Sequence, residues 1–284
     1  MSRSAAVVAL ALLFAGCCAT PRRAVQPISL QPPDAVLADH NAWADSIQHL
    51  WARADLRLVF PVGDKVERHD LGGHLFLAKP DRLFVHGEVL GQDMFTLGTN
   101  AERYWLWIRP KVNAVWTGVR GGAGEGRLVV SPAALLEALG LGRVDLAPED
   151  RADFVASPEH YVLTIERAGP AGTVPVRRIW FAPATLRPIR VDLFDAIGRP
   201  IVMAELLHYE RVGAADLCTV YRARFLGDEE VDLVLRLKDV SLEKEPNARV
   251  FQYRPPPGAT EKDLDAMTDE EAVKEPDPEG RTGR

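Results

Sequence analysis

Between Gly72 and Gly118, short apolar and aromatic runs alternate with turn-forming residues, and this stretch restricts the chain to a β-rich fold. Leu75, Leu77, Leu83, Val85, Phe95, Leu97, Tyr104, Leu106, Ile108 and Val115 recur at period two inside their runs, as strands with one buried face require. Lys79-Pro80-Asp81, Gly91-Gln92-Asp93, Thr99-Asn100-Ala101-Glu102 and Arg109-Pro110-Lys111 separate the runs, and these residue types bend a backbone at low cost. The pattern predicts a strand meander, which makes a surface before it makes a reaction.

From Glu159 the strand signals resume. Tyr161 to Arg167, Val174 to Phe181, Ile189 to Phe194, Ile201 to Tyr209, Leu217 to Leu226 and Val231 to Val240 are β-rich runs broken by glycine and proline. Leu56, Leu58 and Phe60 alternate ahead of Pro61 to Asp64 and supply a further strand and turn. The expectation is a mainly β chain of about 10–11 antiparallel strands with few helices. A sheet of that size must curl to hide its apolar face, giving an incomplete β-barrel with helices covering the open face.

Two helical segments stand out. Val36, His40, Trp43, Ile47, Leu50 and Trp51 fall at spacings of three and four, with Asp34 placed as an N-cap after Pro33. Ser131-Pro132 opens a shorter helix with Leu135, Leu136 and Leu139 on one side and Gly140 as its stop. The run from Gly121 to Gly126 lacks the Gly-Lys-Ser/Thr ending and the following helix of a phosphate loop, so it reads as a surface loop.

The N-terminus reads as an export signal. Arg3 supplies a positive start, Ala5 to Phe14 an apolar run, and Ala15-Gly16 the small residues before a cleavage point. The run is well short of the roughly 20 residues an α-helix needs to span a bilayer. Leu13-Phe14-Ala15-Gly16-Cys17 resembles the bacterial lipobox, which makes Cys17 the lipidation site and residues 1–16 the signal peptide. Several acyl chains on one residue anchor firmly, at about 0.8 kcal/mol per buried CH₂. Residues 17–33, rich in proline, form the tether, 34–265 the folded domain, and 266–284 a disordered acidic tail. Cleavage removes Arg3 and leaves 33 positive against 40 negative groups, a net charge of −7. That balance gives no clustered basic face for nucleic acid. Cys218, inside an apolar strand pattern, reads as a small buried residue, and no disulfide is expected.

The first helix, the step from Ala78 to Leu83, the turn and strand from Asn100 to Trp107, and the segment from Asn247 to Leu264 together resemble the periplasmic lipoprotein-carrier superfamily that includes LolA and LolB. The resemblance spans roughly residues 34 to 265. It implies a half-barrel around an apolar cavity that receives acyl chains, on the periplasmic side of the envelope; the absence of aspartate directly after Cys17 points the anchored protein to the outer membrane. Trp43, Ile47, Phe76, Phe84, Phe95, Trp105, Trp107 and Trp116 are the candidate cavity-lining residues. Parity leaves two assignments open, because Trp105 and Trp107 are out of phase with Tyr104, Leu106 and Ile108.

No catalytic constellation emerges. The seven histidines form neither a HExxH nor a triad with a Gly-x-Ser-x-Gly turn. His69 and His74, on either side of Asp70 and a glycine pair, read as a solvated hairpin rather than a metal site, and Asp228 to Asp232 as a wet acidic turn. Neither enzyme activity, cofactor nor metal is expected. Acyl-chain binding, of lipoproteins or free lipids, is the leading reading. The alternative is a structural or assembly lipoprotein that uses the same fold as a protein-binding platform.

Overall fold

The meander occupies one side of a single sheet, and the later strands return to meet it at β1. In the computed structural model, which describes residues 30–267 except 63–64, 110–112, 123, 125–127, 129, 170–171 and 227–229, the sheet has fourteen strands. The central β1 (His49–Val62) is followed outward by β2 (Lys65–Ala78), β3 (Arg82–Val89), β4 (Gln92–Thr99), β5 (Arg103–Ile108) and β6 (Ala114–Val119). The chain then crosses to the far edge at β7 (Arg151–Ala156). It steps back through β8 (Tyr161–Gly169), β9 (Gly172–Phe181), β10 (Pro188–Phe194), β11 (Pro200–Val212), β12 (Ala215–Leu226) and β13 (Glu230–Ser241), which pairs with β1. A last strand, β14 (Thr260–Asp263), adds parallel to β6, while every other pairing is antiparallel. The two edges, β14 and β7, do not meet, so the curled sheet is an incomplete barrel.

The fourteen strands exceed the expectation of ten or eleven, and β7 and β14 are the two that no sequence pattern marked. β7 is an edge strand, largely exposed, whose Arg-Ala-Asp-Phe-Val-Ala sequence buries little. β14 lies at the C-terminal end of the expected domain, and its Glu261 and Asp263 pair in register with Val115 and Thr117. Asp265, just beyond it, accepts hydrogen bonds from the amides of Val119 at 2.5 Å and Gly124 at 2.9 Å. A Cβ on Gly124 would fall 2.7 Å from the Leu264 carbonyl carbon, so this glycine-rich turn makes room for the returning chain.

Helix α1 (Pro33–Ser46) and helix α2 (Pro132–Ala138) cover the inner face of the sheet. The first is shorter than its periodicity predicts, because the chain turns extended at Ile47 and enters β1. Leu50 and Trp51 are therefore strand residues on opposite faces, Leu50 buried at 0 % exposure. Asp34 lies in the first turn and Pro32 takes the N-cap position, its carbonyl accepting from Ala35 and Val36. Pro33, with its fixed φ, is suited to N1 and shifts the cap by two residues. In α2 the expected cap holds: Ser131 Oγ accepts from the Ala134 amide at 3.3 Å.

One hydrophobic core joins both halves of the sheet to both helices. Leu56, Leu75, Leu83, Val85 and Leu97 from one side meet Leu163, Ile179, Val191, Phe225 and Leu235 from the other through Leu135, Leu139 and Leu141. Each fully buried aliphatic side chain contributes about 1.5–3 kcal/mol relative to exposure. β2 runs unbroken through Gly72-Gly73, so His69, Asp70 and His74 are strand residues rather than flanks of a hairpin turn. Asp70 is paired with Arg57 at 2.6 Å and Arg68 at 3.1 Å, and Glu230 and Asp232 with Arg224. Residues 228–229 and the anchor region with Cys17 lie outside the described residues.

Candidate functional site

Strand register divides the eight candidate lining residues between two faces. Trp43 of α1 and Ile47 just after it, with Phe95 on β4, are buried in the inner core, and Trp116 packs half-buried against it opposite Leu106. Phe76, Phe84, Trp105 and Trp107 point to the outer face instead. The parity of β5 decides this: Leu106 opposes Leu97 on the inner side, which leaves Trp105 and Trp107 out. Val115, opposite Trp107, goes with them.

The inner covering behaves as one piece. Asn41 Nδ2 donates to the Val144 carbonyl at 3.1 Å, and the Val144 amide returns a bond to Asn41 Oδ1 at 2.8 Å. His40 Nε2 lies 3.1 Å from the Gly142 carbonyl oxygen, and Arg143 pairs with Asp45. These polar bonds join α1 to the segment after α2, while Val36, Trp43, Ala44, Ile47, Leu135, Leu139 and Leu141 meet the sheet through apolar surface. Among the described residues, polar ties from α1 to the strands and the turns beside them are few: Trp43 Nε1 donates to the Asp216 carbonyl at 2.8 Å, Lys79 donates to the Ala44 carbonyl, and Arg187 pairs with Asp39 at 2.8 Å beneath the Trp43 ring.

Cations gather where this covering meets β9 and β10. Arg177, between its register partners Ile165 and Leu193, projects from the inner face of β9, with its side chain 13 % exposed. Its Nε and Nη2 have no hydrogen-bond partner among the described residues, and Glu137 Oε2 stands 3.9 Å from Nη1. Burial lowers the Arg177 pKa, with Glu137 opposing. His40 is held down to about 4, first by burial and then by the positive charges of Arg177, Arg187 and Lys79, against the Gly142 bond. Burial likewise brings Lys79 down to about 8. Deeper in the core, burial pushes the Cys218 thiol up to about 11. Sequence reasoning passed over Arg177, although its phase with Ile179 and Phe181 carried the signal of an inward-facing arginine.

On the outer face a row of rings crosses the strands. Trp51 and Phe76 are 6.4 Å apart, Phe76 and Phe84 6.2 Å, Phe84 and Trp105 6.4 Å, and Trp105 and Tyr253 5.7 Å. Lys244 lies 4.4 Å over Trp51 and the Arg103 guanidinium 5.4 Å over Tyr253, closing both ends with cation–π contacts. A β-bulge after Gly87 sets Asp93 opposite Glu88. The donor atoms of His86, Glu88 and Asp93 consequently lie within 4.8 Å of one another, a set able to hold a divalent cation, in which His86 Nε2 and Asp93 Oδ1 already bond at 2.8 Å.

No protein-family model matches the chain, and a search of curated proteins finds no match. Among solved structures, a LolA superfamily protein from Nitrosomonas europaea is similar over 76 % of this chain and 97 % of its own, with a TM-score of 0.50 and 13 % identity. A DUF1329 family protein from Desulfovibrio piger aligns over 80 % of this chain and 98 % of its own, with a TM-score of 0.49 and 14 % identity. An outer membrane lipoprotein-sorting protein domain from Vibrio parahaemolyticus aligns over 76 % and 94 %, with a TM-score of 0.48 and 10 % identity. The chain has a LolA-like fold. At such identities the likeness is one of fold.

Proposed function

We propose that this protein is a non-enzymatic, lipid-anchored envelope carrier that holds acyl chains of lipoproteins or lipids between the inner face of the half-barrel and the covering helices. The observation that carries the reading is the construction of that covering. Its parts are bonded to one another by polar contacts but rest on the sheet mainly through apolar surface, which is non-directional and accepts a hydrocarbon chain in place of a side chain. The LolA-like fold supports the same class of function by analogy. Export, diacylation of Cys17, a tether over 17–33, a working domain over 34–265 and residence at the outer membrane belong to this proposal and rest on the N-terminal sequence and composition.

Native mass spectrometry of the full chain extracted from membranes, combined with titration by a fluorescent fatty acid, tests the carrier reading. Co-purifying lipid and saturable uptake are expected; a clean lipid-free mass with no uptake sinks it. Metabolic palmitate labelling tests the anchor separately. Cys17→Ser should abolish the label, and a variant that stays labelled overturns the lipobox assignment.

The outer row of rings, half-buried except for the buried Trp105, favours a second reading, a structural or assembly lipoprotein that presents this face to a protein. Phe76→Ala with Phe84→Ala should then weaken capture of that partner while leaving fatty-acid uptake intact.

A further inference from the structure

We infer that Arg177 receives the anionic oxygen group of an amphiphile whose hydrocarbon chain lies on the inner apolar face. The inference rests on the carrier reading and names the chemical class of its cargo. An arginine between Ile165 and Leu193 is in costly surroundings, because a buried guanidinium needs compensating acceptors. Two of its donor-bearing atoms, Nε and Nη2, have none among the described residues. The nearest carboxylate, Glu137 at 3.9 Å, is beyond hydrogen-bond length, and its side chain is 51 % exposed.

The surroundings repeat the pattern. Arg187 Nε and His40 Nδ1 are also buried without a partner among the described residues, and Lys79 adds a further positive charge toward His40. Against these stand Asp39, already bonded to Arg187, and Asp45, already bonded to Arg143. Among the described residues, buried guanidinium donors therefore outnumber their acceptors beside the apolar interior, and a carboxylate or phosphate monoester supplies what is missing. Its two oxygens match the guanidinium fork side by side, a geometry that ammonium or hydroxyl heads do not offer. An attached chain would extend across the inner face toward Ile179, Leu139 and Trp43, all members of the one core.

Decyl compounds below their micellar range, titrated into the intact full chain, separate the possibilities. Decanoate and decyl phosphate should bind at least tenfold more tightly than decanol, and inorganic phosphate alone should bind far more weakly than decyl phosphate. Arg177→Met, which keeps an unbranched apolar stem without the charge, should bring the decanoate-to-decanol ratio close to one and leave decanol binding unchanged. Arg177→Lys should restore part of the preference. Equal binding of decanoate and decanol by the unaltered protein overturns the inference while leaving the carrier reading intact. Inorganic phosphate binding as tightly as decyl phosphate overturns it in favour of a free-anion site. Failure of all three decyl compounds to bind removes both readings, and the unaltered protein alone decides each of these outcomes should Arg177→Met not fold.

Discussion

The indole of Trp105 lies so close over Gly98 that a Cβ at that glycine would fall 2.2 Å from Cζ2 of the ring. Gly98 and Trp105 are cross-strand partners on β4 and β5, so the missing side chain of one gives the other its seat. The seat also carries the ring to Phe84, one strand further on, and so joins the two halves of the outer row. Gly98→Ala should force the indole away and destabilise the protein by about 1–3 kcal/mol, the usual cost of overpacking. Chemical denaturation measures it, and an unchanged midpoint would show that the indole relocates freely.

Asn41 should govern how firmly the inner covering holds together. Its two bonds to Val144 satisfy a backbone amide and a carbonyl that otherwise face a partly buried gap. Asn41→Ala should cost about 1–3 kcal/mol and accelerate hydrogen exchange at the Val144 amide. Unaltered exchange there would mean that the two pieces are not coupled through this residue.

Acid should weaken the fold through His40. Its pKa is lowered from 6.5 to about 4, so above 6.5 the imidazole is neutral folded or unfolded and has no pH-dependent effect. As pH falls from 6.5 towards 4, the unfolded chain binds a proton that the folded chain refuses, and stability is lost by about 3 kcal/mol. His40→Gln, which keeps a donor for the Gly142 carbonyl, should flatten this slope in denaturation midpoints taken between pH 7 and pH 4.5. An equally steep slope in the variant would assign the acid sensitivity to other groups.

Cys218 should be inert in the native protein. It is 1 % exposed, and burial pushes its thiol up to about 11, so almost no thiolate forms at neutral pH. A thiol reagent should leave the Cys218 peptide unlabelled under native conditions and label it fully in urea. Rapid native labelling would indicate an opening motion of β12 that exposes it.

Much of the fold was legible in local patterns. Period-two runs located β2 to β6 and β8 to β13 because a strand with one buried face must alternate, and Ser131 before Pro132 marked the start of α2 because a short side-chain oxygen satisfies a free helix amide. The weak strands were not legible. β7 and β14 bury too little to write a pattern, and β14 exists because a partner edge at β6 was waiting for it. The first helix was over-extended to Trp51, since the periodicity of three and four passes by chance into an alternating strand that begins at His49.

The site was less legible than the fold, and the eight aromatic and aliphatic candidates show why. The amino-acid sequence by itself determined that Trp105 and Trp107 lie on the face opposite Leu106, because successive residues of a strand point to opposite sides. Only the tertiary structure decided which of those faces was inside, since that depends on where α1 and α2 dock and on the register of β4 against β5. The same holds for Arg177. Its phase with Ile179 and Phe181 is written in the chain, but the absence of acceptors around its Nε and Nη2 among the described residues arises from how β8, β10 and α2 come together around it, and a local pattern cannot count hydrogen-bond partners that only folding brings near.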